Sequence, residues 1–173
     1  MALIRNAALV DADAIARVHI ASWQITYRGL MPDNVLNNLS FDRRREWWQN
    51  ILHDQSEQVV TTEEDGRVVG FAYYGKEREN DPIYRGELYA IYLLADYQKK
   101  GIGRLLFKAS AKGLLKLGMN NMLLWVLSAN PTRLFYERLG GKHLRDKSVE
   151  IGGVTLQESA YGWDDIHALA ELR

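Results

Sequence analysis

Apolar positions recur at intervals of three or four in the first third of the chain. From Gln58 onward they shift to alternation or unbroken runs. The first regime predicts helices and the second strands. Ahead of both, Leu3-Ile4-Arg5 predicts a short strand. Asp11 or Asp13 is placed to cap a helix whose positions Ile15, Val18, Ser22 and Ile25 share a face, and Gly29 predicts its end. Pro32 fits the first turn of a second, short helix, and Ser40 the cap of a third carrying Trp47, Trp48, Ile51 and Leu52.

The strand regime opens with residues 58–62 and 68–74, joined through Asp65-Gly66, a strong hairpin signal. Asp81-Pro82 marks a loop. Residues 87–94 are apolar on both alternating faces after Glu87, the pattern of a central strand covered on both sides. The next helix carries Ile102, Leu106, Ala109, Gly113 and Leu117 on its predicted buried face. A glycine in a helix interior costs about 1 kcal/mol relative to alanine, so Gly113 predicts close packing against the sheet. Residues 122–127 read as another buried strand, Asn130-Pro131 as the start of a helix to Leu139, and Gly140-Gly141 as its stop. Strands at 143–149 and 155–163 flank a hairpin at Gly152-Gly153, and Asp164 predicts the cap of a terminal helix bearing Ile166, Leu169 and Leu172. No repeat, low-complexity stretch or linker interrupts the chain. The prediction is one α/β domain over residues 1–173, with helices on both faces of a mixed central sheet of about seven strands.

Composition narrows the partners. The chain is 47% hydrophobic and 25% charged, an ordinary globular balance. Lys plus Arg equals Asp plus Glu at 22 each, so no overall field favours nucleic acid or an anionic membrane, and neither is an expected partner. Cysteine is absent, which excludes disulfides, thiolate metal sites and a cysteine nucleophile; no metal is expected. No run approaches ~18 apolar residues, and Met1 to Arg5 lacks a signal-peptide pattern, so the expected location is cytoplasmic.

Basic charge is concentrated locally. From Tyr97 to Lys116 there are six basic residues and no acidic one. Arg104, Lys108, Lys112 and Lys116 share a helix face, which for the later lysines reads as a solvated surface. The segment Gln98-Lys99-Lys100-Gly101-Ile102-Gly103-Arg104 lies between the apolar run ending at Leu94 and the helix. A strand that turns through two glycines into a helix aims unpaired backbone N–H groups at one point, and the basic side chains add positive charge around it. A phosphorylated ligand fits such a turn. The dinucleotide fingerprint is excluded because its third glycine is Leu106 here, and no segment supplies the Gly-Lys-Ser/Thr of a P-loop.

A third pattern fits. Gln98-Lys99-Lys100-Gly101-Ile102-Gly103 resembles the pyrophosphate loop, Gln/Arg-x-x-Gly-x-Gly/Ala, of the GNAT superfamily of acyl-CoA-dependent N-acyltransferases. The order around it, from Glu87 through Asn130 and Leu134-Phe135-Tyr136-Glu137-Arg138-Leu139-Gly140 to Gly141, is similar to that superfamily's conserved half. Residues 23–32 and the ending 150–163 look like many bacterial members, so the resemblance spans nearly the whole chain. Two positions depart: Ala95, where proline is frequent, and Gly141, where an aromatic is frequent.

The resemblance implies acetyl transfer from acetyl-CoA to a primary amine of a small molecule or peptide. With no cysteine, direct attack in a ternary complex is simpler than an acyl-enzyme. It implies that the backbone of Gln98, Lys99, Lys100, Gly101, Ile102, Gly103 and Arg104 binds the pyrophosphate. It also implies that the Leu93 backbone and the Asn130 side chain contact the pantetheine arm. Asn130 equally suits a plain helix cap before Pro131. Glu87, the acid of the central strand, matches the superfamily's frequent base, and partial burial would raise it from about 4.3. As a strand-end carboxylate it would instead pair with a neighbour such as Arg85. His19 is a lesser candidate base. Tyr136 matches the tyrosine beside the CoA sulfur, a phenol that stays protonated at neutral pH. Trp23 and Tyr27 lie where relatives wall the acceptor cleft. The terminal helix and the late hairpin are candidate homodimer elements. A non-catalytic acyl-CoA-binding sensor would need the loop but neither Glu87 nor Tyr136, and a nucleotide-binding regulator is a more distant third.

Overall fold

The computed structural model describes residues 2–54 and 56–172. In chain order the elements are β1 (Leu3–Asn6), α1 (Ala12–Thr26), α2 (Asp33–Asn37), α3 (Phe41–Asp54), β2 (Gln58–Glu64), β3 (Arg67–Lys76) and β4 (Gly86–Leu93). There follow α4 (Ile102–Lys116), β5 (Met122–Leu127), α5 (Arg133–Arg138), β6 (Lys142–Ile151), β7 (Val154–Trp163) and α6 (His167–Ala170). The strands form one seven-stranded sheet in the order β1-β2-β3-β4-β5-β7-β6. Every neighbouring pair is antiparallel except β4–β5, which is parallel, so the sheet is mixed as its sequence pattern predicts.

Two-residue alternation sorts the side chains into two cores. Val60, Ala72, Tyr74, Leu88, Met122 and Leu124 face α4, where they meet Leu106, Phe107, Ala111 and Leu114. Val59, Phe71 and Tyr73 point the other way, onto Ile15 and Ala16 of α1 and Trp48 of α3. Gly113 is explained by the first core: a Cβ there would fall inside the Tyr74 ring and hydroxyl.

Some expected positions shift. Ile25 and Leu117, in the last turn of α1 and just past α4, are 59% and 47% exposed rather than buried. Ala12, Ala16 and His19 fill the α1 interface instead. Asp11 caps no turn of α1; its carboxylate accepts from the Ala8 N–H at 2.7 Å and from the Arg5 guanidinium at 2.7 and 2.8 Å. Asp164 does not cap α6 either. It accepts from Tyr84 Oη and Lys142 Nζ, and the His167 N–H is met by Asp165.

The largest departure concerns β4. It is buried only as far as Leu88 and half-buried from Tyr89 to Leu93, not covered on both sides throughout. β4 and β5 pair at Gly86–Met122 and Glu87–Leu123 and then diverge. The register of β3 against β4 jumps from Tyr74–Leu88 to Tyr73–Ala90, leaving Tyr89 as an extra residue. Such a bulge bends a strand and reverses the direction of its later peptide groups. Gly86 N–H donates toward β5, to Asn121 O at 3.1 Å, whereas Leu94 N–H donates toward β3, to Val69 O at 2.9 Å. By alternation, Ile91 and Leu93 direct their peptide groups into the gap beside β5.

Candidate active site

The gap between β4 and β5 opens a cleft of about 700 Å3. One wall is the turn into α4. Lys99 and Gly101 both adopt positive φ, 59° and 82°, which folds the turn tightly enough for Gly101 to begin the helix. Arg104 N–H is the first of the helix to find a partner, Gly101 O at 3.1 Å. Among the described residues, the N–H groups from Lys99 through Gly103 have no hydrogen-bond acceptor, and the positive end of a 15-residue helix stands behind them. A Cβ on Gly103 would meet nothing nearer than Phe135 at 3.7 Å, so the protein itself does not require glycine there.

Gln98, Lys99, Gly101, Gly103, Arg104, Leu93 and Asn130 all line this cleft. Gln98 Nε2 donates to Leu93 O at 3.0 Å, so the loop is tied to the strand at the very carbonyl that faces the gap. Lys100 lies outside the lining, with its ammonium 5.4 Å from the Tyr97 ring. Ile102 also lies outside the lining, with its side chain buried. Asn130 Oδ1 accepts from Thr132 N–H at 2.9 Å, closing the turn that leads into α5 rather than capping the helix, which begins only at Arg133, and its Nδ2 donates to no described residue.

Tyr136, from α5, lines the cleft and packs beside Phe107 and Phe135. Its hydroxyl has no hydrogen-bond partner among the described residues. Burial, with a smaller contribution from Tyr27, pushes the phenol well above its ordinary value, so it stays protonated throughout the neutral range. On the opposite wall, Trp23 Nε1 donates to Tyr92 Oη at 3.0 Å and the Tyr27 and Tyr92 hydroxyls lie 2.9 Å apart. The β6–β7 tip reaches this wall: a Cβ on Gly152 would strike Val35 of α2.

Glu87 is placed differently from the residues above. It is 2% exposed, and both oxygens are engaged by Arg78: Oε1 by NH2 at 2.7 Å, and Oε2 by Nε at 3.2 Å and by the backbone N–H at 3.1 Å. Arg78, rather than Arg85, supplies the ion pair. Glu87 faces a separate polar recess of about 360 Å3, lined also by Glu79, Lys147 and Glu158. Tyr89, Trp125 and Glu158 border both cavities. His19 is structural. Its Nδ1 accepts from Trp48 Nε1 at 3.2 Å, its ring stacks on Tyr92, and burial drives it down to about 3.

Three cleft groups escaped the sequence reading. Ser22 Oγ and Trp125 Nε1 are buried there without partners, and the Glu158 carboxylate has no hydrogen bond or ion pair among the described residues. Ser22 carried a signal, a hydroxyl at an apolar helix position. Glu158 carried none, because every second residue of an edge-proximal strand is ordinarily polar. Also among the described residues, no group of three or more metal-binding side chains converges, and no helix is long and apolar enough to cross a membrane.

Comparison with known proteins follows the same lines. Residues 20–141 match the acetyltransferase (GNAT) family. The chain is 38% identical, over 172 residues covering 99% of it and 98% of the relative, to a Bacillus subtilis (strain 168) protein described as the uncharacterized N-acetyltransferase YuaI. Its fold matches the crystal structure of an N-acetyltransferase from Staphylococcus aureus Mu50 with a TM-score of 0.73, at 22% identity over 96% of this chain and 99% of that one. It also matches the PaiA N-acetyltransferase from Thermoplasma acidophilum, solved in complex with coenzyme A, with a TM-score of 0.70 at 20% identity over 92% and 98% of the two chains. By the family match over residues 20–141 and the relative 38% identical across 99% of its length, this chain belongs to the acetyltransferase (GNAT) family.

Proposed function

We propose that this N-acetyltransferase moves an acetyl group from acetyl-CoA to a primary amine of a small molecule or peptide, by direct attack in a ternary complex. The observation that carries the reading is that Lys99, Gly101 and Gly103, whose N–H groups are unpaired, line one cleft with Tyr136, whose hydroxyl is free among the described residues. Acetyl-CoA supplies the activated thioester. The chain's residues do the rest. The turn and helix dipole hold the pyrophosphate, with Lys99 and Arg104 adding charge. The outward peptide groups of Ile91 and Leu93 pair with an extended arm as an added strand would, with Asn130 Nδ2 alongside. Tyr136 gives its proton to the leaving sulfur. Trp23 and Tyr27 form the acceptor wall, where aromatic faces suit an ammonium group.

The base role expected of Glu87 would require it to release Arg78 before taking a proton. Its ion pair is therefore its better-supported role. The experiment is thiol release from acetyl-CoA against a panel of primary amines, with calorimetry of acetyl-CoA binding alongside. Turnover that falls at least 100-fold in Tyr136→Phe, with acetyl-CoA affinity retained, is the expected result. Binding without turnover on any amine would leave only a sensor of acyl-CoA.

A further inference from the structure

Resting on the acetyl-transfer reading, we propose that Glu158 of β7 receives the acceptor's ammonium group and takes its proton, and that the favoured acceptors are alkylamines with no carboxylate beside the amine. Glu158 sits in the body of the sheet, opposite Leu127 of β5 on one side and Lys147 of β6 on the other. It borders both the cleft holding Tyr136 and the polar recess behind it. The recess is lined by three carboxylates, Glu79, Glu87 and Glu158, and two cations, Arg78 and Lys147. Each cation is already committed: Arg78 to Glu87 at 2.7 Å, Lys147 to Glu79 and to the Trp125 ring face at 3.8 Å. Glu158 is the carboxylate left over. A half-buried negative charge without a partner is costly to a folded chain and is a common mark of a working site.

The surroundings suit proton uptake. Burial raises the Glu158 carboxyl above its ordinary range; Glu79 and Glu87 push the same way, and Lys147 and Arg78 oppose them. Across the cleft, burial raises the hydroxyl of Tyr27, the residue that ends α1, and Glu158 adds to that in the same direction. The step balances as follows. An ammonium proton passes to Glu158, freeing the nitrogen lone pair to bond to the thioester carbonyl carbon. The C–S bond breaks with its electron pair on sulfur. Sulfur takes the Tyr136 proton, and Tyr136 recovers one from the nitrogen as the amide forms. Glu158 sheds its proton to water through the recess. An acceptor with a neighbouring carboxylate would set a second negative charge against Glu158 and Glu87, and both cations of the recess, Arg78 and Lys147, are already paired.

n-Pentylamine and norleucine, which differ by one carboxylate on the carbon bearing the amine, test this with acetyl-CoA. Pentylamine should have at least a tenfold higher kcat/KM. Glu158→Gln should lower that value at least 100-fold and abolish the acid limb of its pH profile, and calorimetry should show acetyl-CoA affinity within twofold of the parent. Glu158→Asp should recover part of the rate. Equal use of both amines, or turnover of neither by a protein that binds acetyl-CoA, overturns the substrate class. A Glu158→Gln enzyme with more than a tenth of parental kcat/KM and an unchanged acid limb overturns the base. So does loss of acetyl-CoA binding in both variants, which would make Glu158 structural. Failure of the parent protein to bind acetyl-CoA would instead overturn the underlying acetyl-transfer reading.

Discussion

Replacing Gly103 with alanine should make the protein more stable and a poorer binder of acetyl-CoA. Gly103 stands in the first turn of α4 at ordinary helical φ, and a Cβ there would meet only Phe135, at an unstrained 3.7 Å. Alanine removes a backbone-entropy cost of about 0.5–1 kcal/mol. In a domain of this size that raises Tm by about 1–4 °C. The same methyl group projects into the cleft where the unpaired N–H groups of the turn converge. If the pyrophosphate packs against that backbone, affinity should fall at least tenfold, about 1.4 kcal/mol. Thermal unfolding of the free protein and calorimetry with acetyl-CoA read the two effects separately, and their opposite signs are the diagnostic. Gly101→Ala provides the contrast. Nothing lies within 4 Å of its Cβ, but its φ of 82° costs an L-residue about 1–2 kcal/mol, so Tm should fall. A Gly103→Ala protein that binds acetyl-CoA as tightly as the parent would refute the loop as the phosphate site.

Gly113→Ala should behave oppositely to Gly103→Ala despite sharing the helix. Its methyl group collides with Tyr74, and overpacking of this kind costs about 1–3 kcal/mol, seen as a lower Tm; an unchanged or higher Tm would contradict the packing. Tyr136→Phe should cut kcat about 100-fold or more while leaving the KM for acetyl-CoA nearly unchanged, and full turnover would remove Tyr136 as the proton donor. His19 predicts an acid-sensitive fold. The unfolded chain takes up its proton near 6.5 and the folded chain only near 3, so this stability is complete above 6.5 and is lost progressively as pH falls toward 3. At pH 5 the loss is about 2 kcal/mol, or roughly 4–8 °C in Tm. His19→Phe should flatten that slope between pH 7 and 5, and parallel slopes in the two proteins would refute the assignment.

Much of the fold was legible because local chemistry and tertiary burial agree. Asp65-Gly66 and Gly152-Gly153 take the positive φ angles that tight hairpins need, and their strands pair in the predicted order. Gly113 announced its contact with Tyr74 through a helix cost that only close packing offsets. The misreadings fall where side chains have competing partners. Asp11 and Asp164 are good caps by type, but Arg5 and Tyr84, distant in sequence or element, take their oxygens first. Glu87 was legible as a buried strand acid; its ion pair with Arg78 required the turn after β3 to fold back over β4.

The sequence by itself determined the seven-stranded mixed sheet, the helix-opening turn at residues 98–104 and the elimination of the commoner nucleotide loops. These follow from periodicity and from glycines whose backbone demands are local. Only the tertiary structure decided where the cleft opens. Residues 87–94 look uniformly covered, yet one unpaired residue at Tyr89 exchanges which of the later peptide groups face β3, and β4 pairs with β5 only at Gly86 and Glu87 before the two diverge. Only the tertiary structure also separated the carboxylates. In one dimension Glu87 stands out and Glu158 does not; which of them is left without a partner lies in which the neighbouring cations reach.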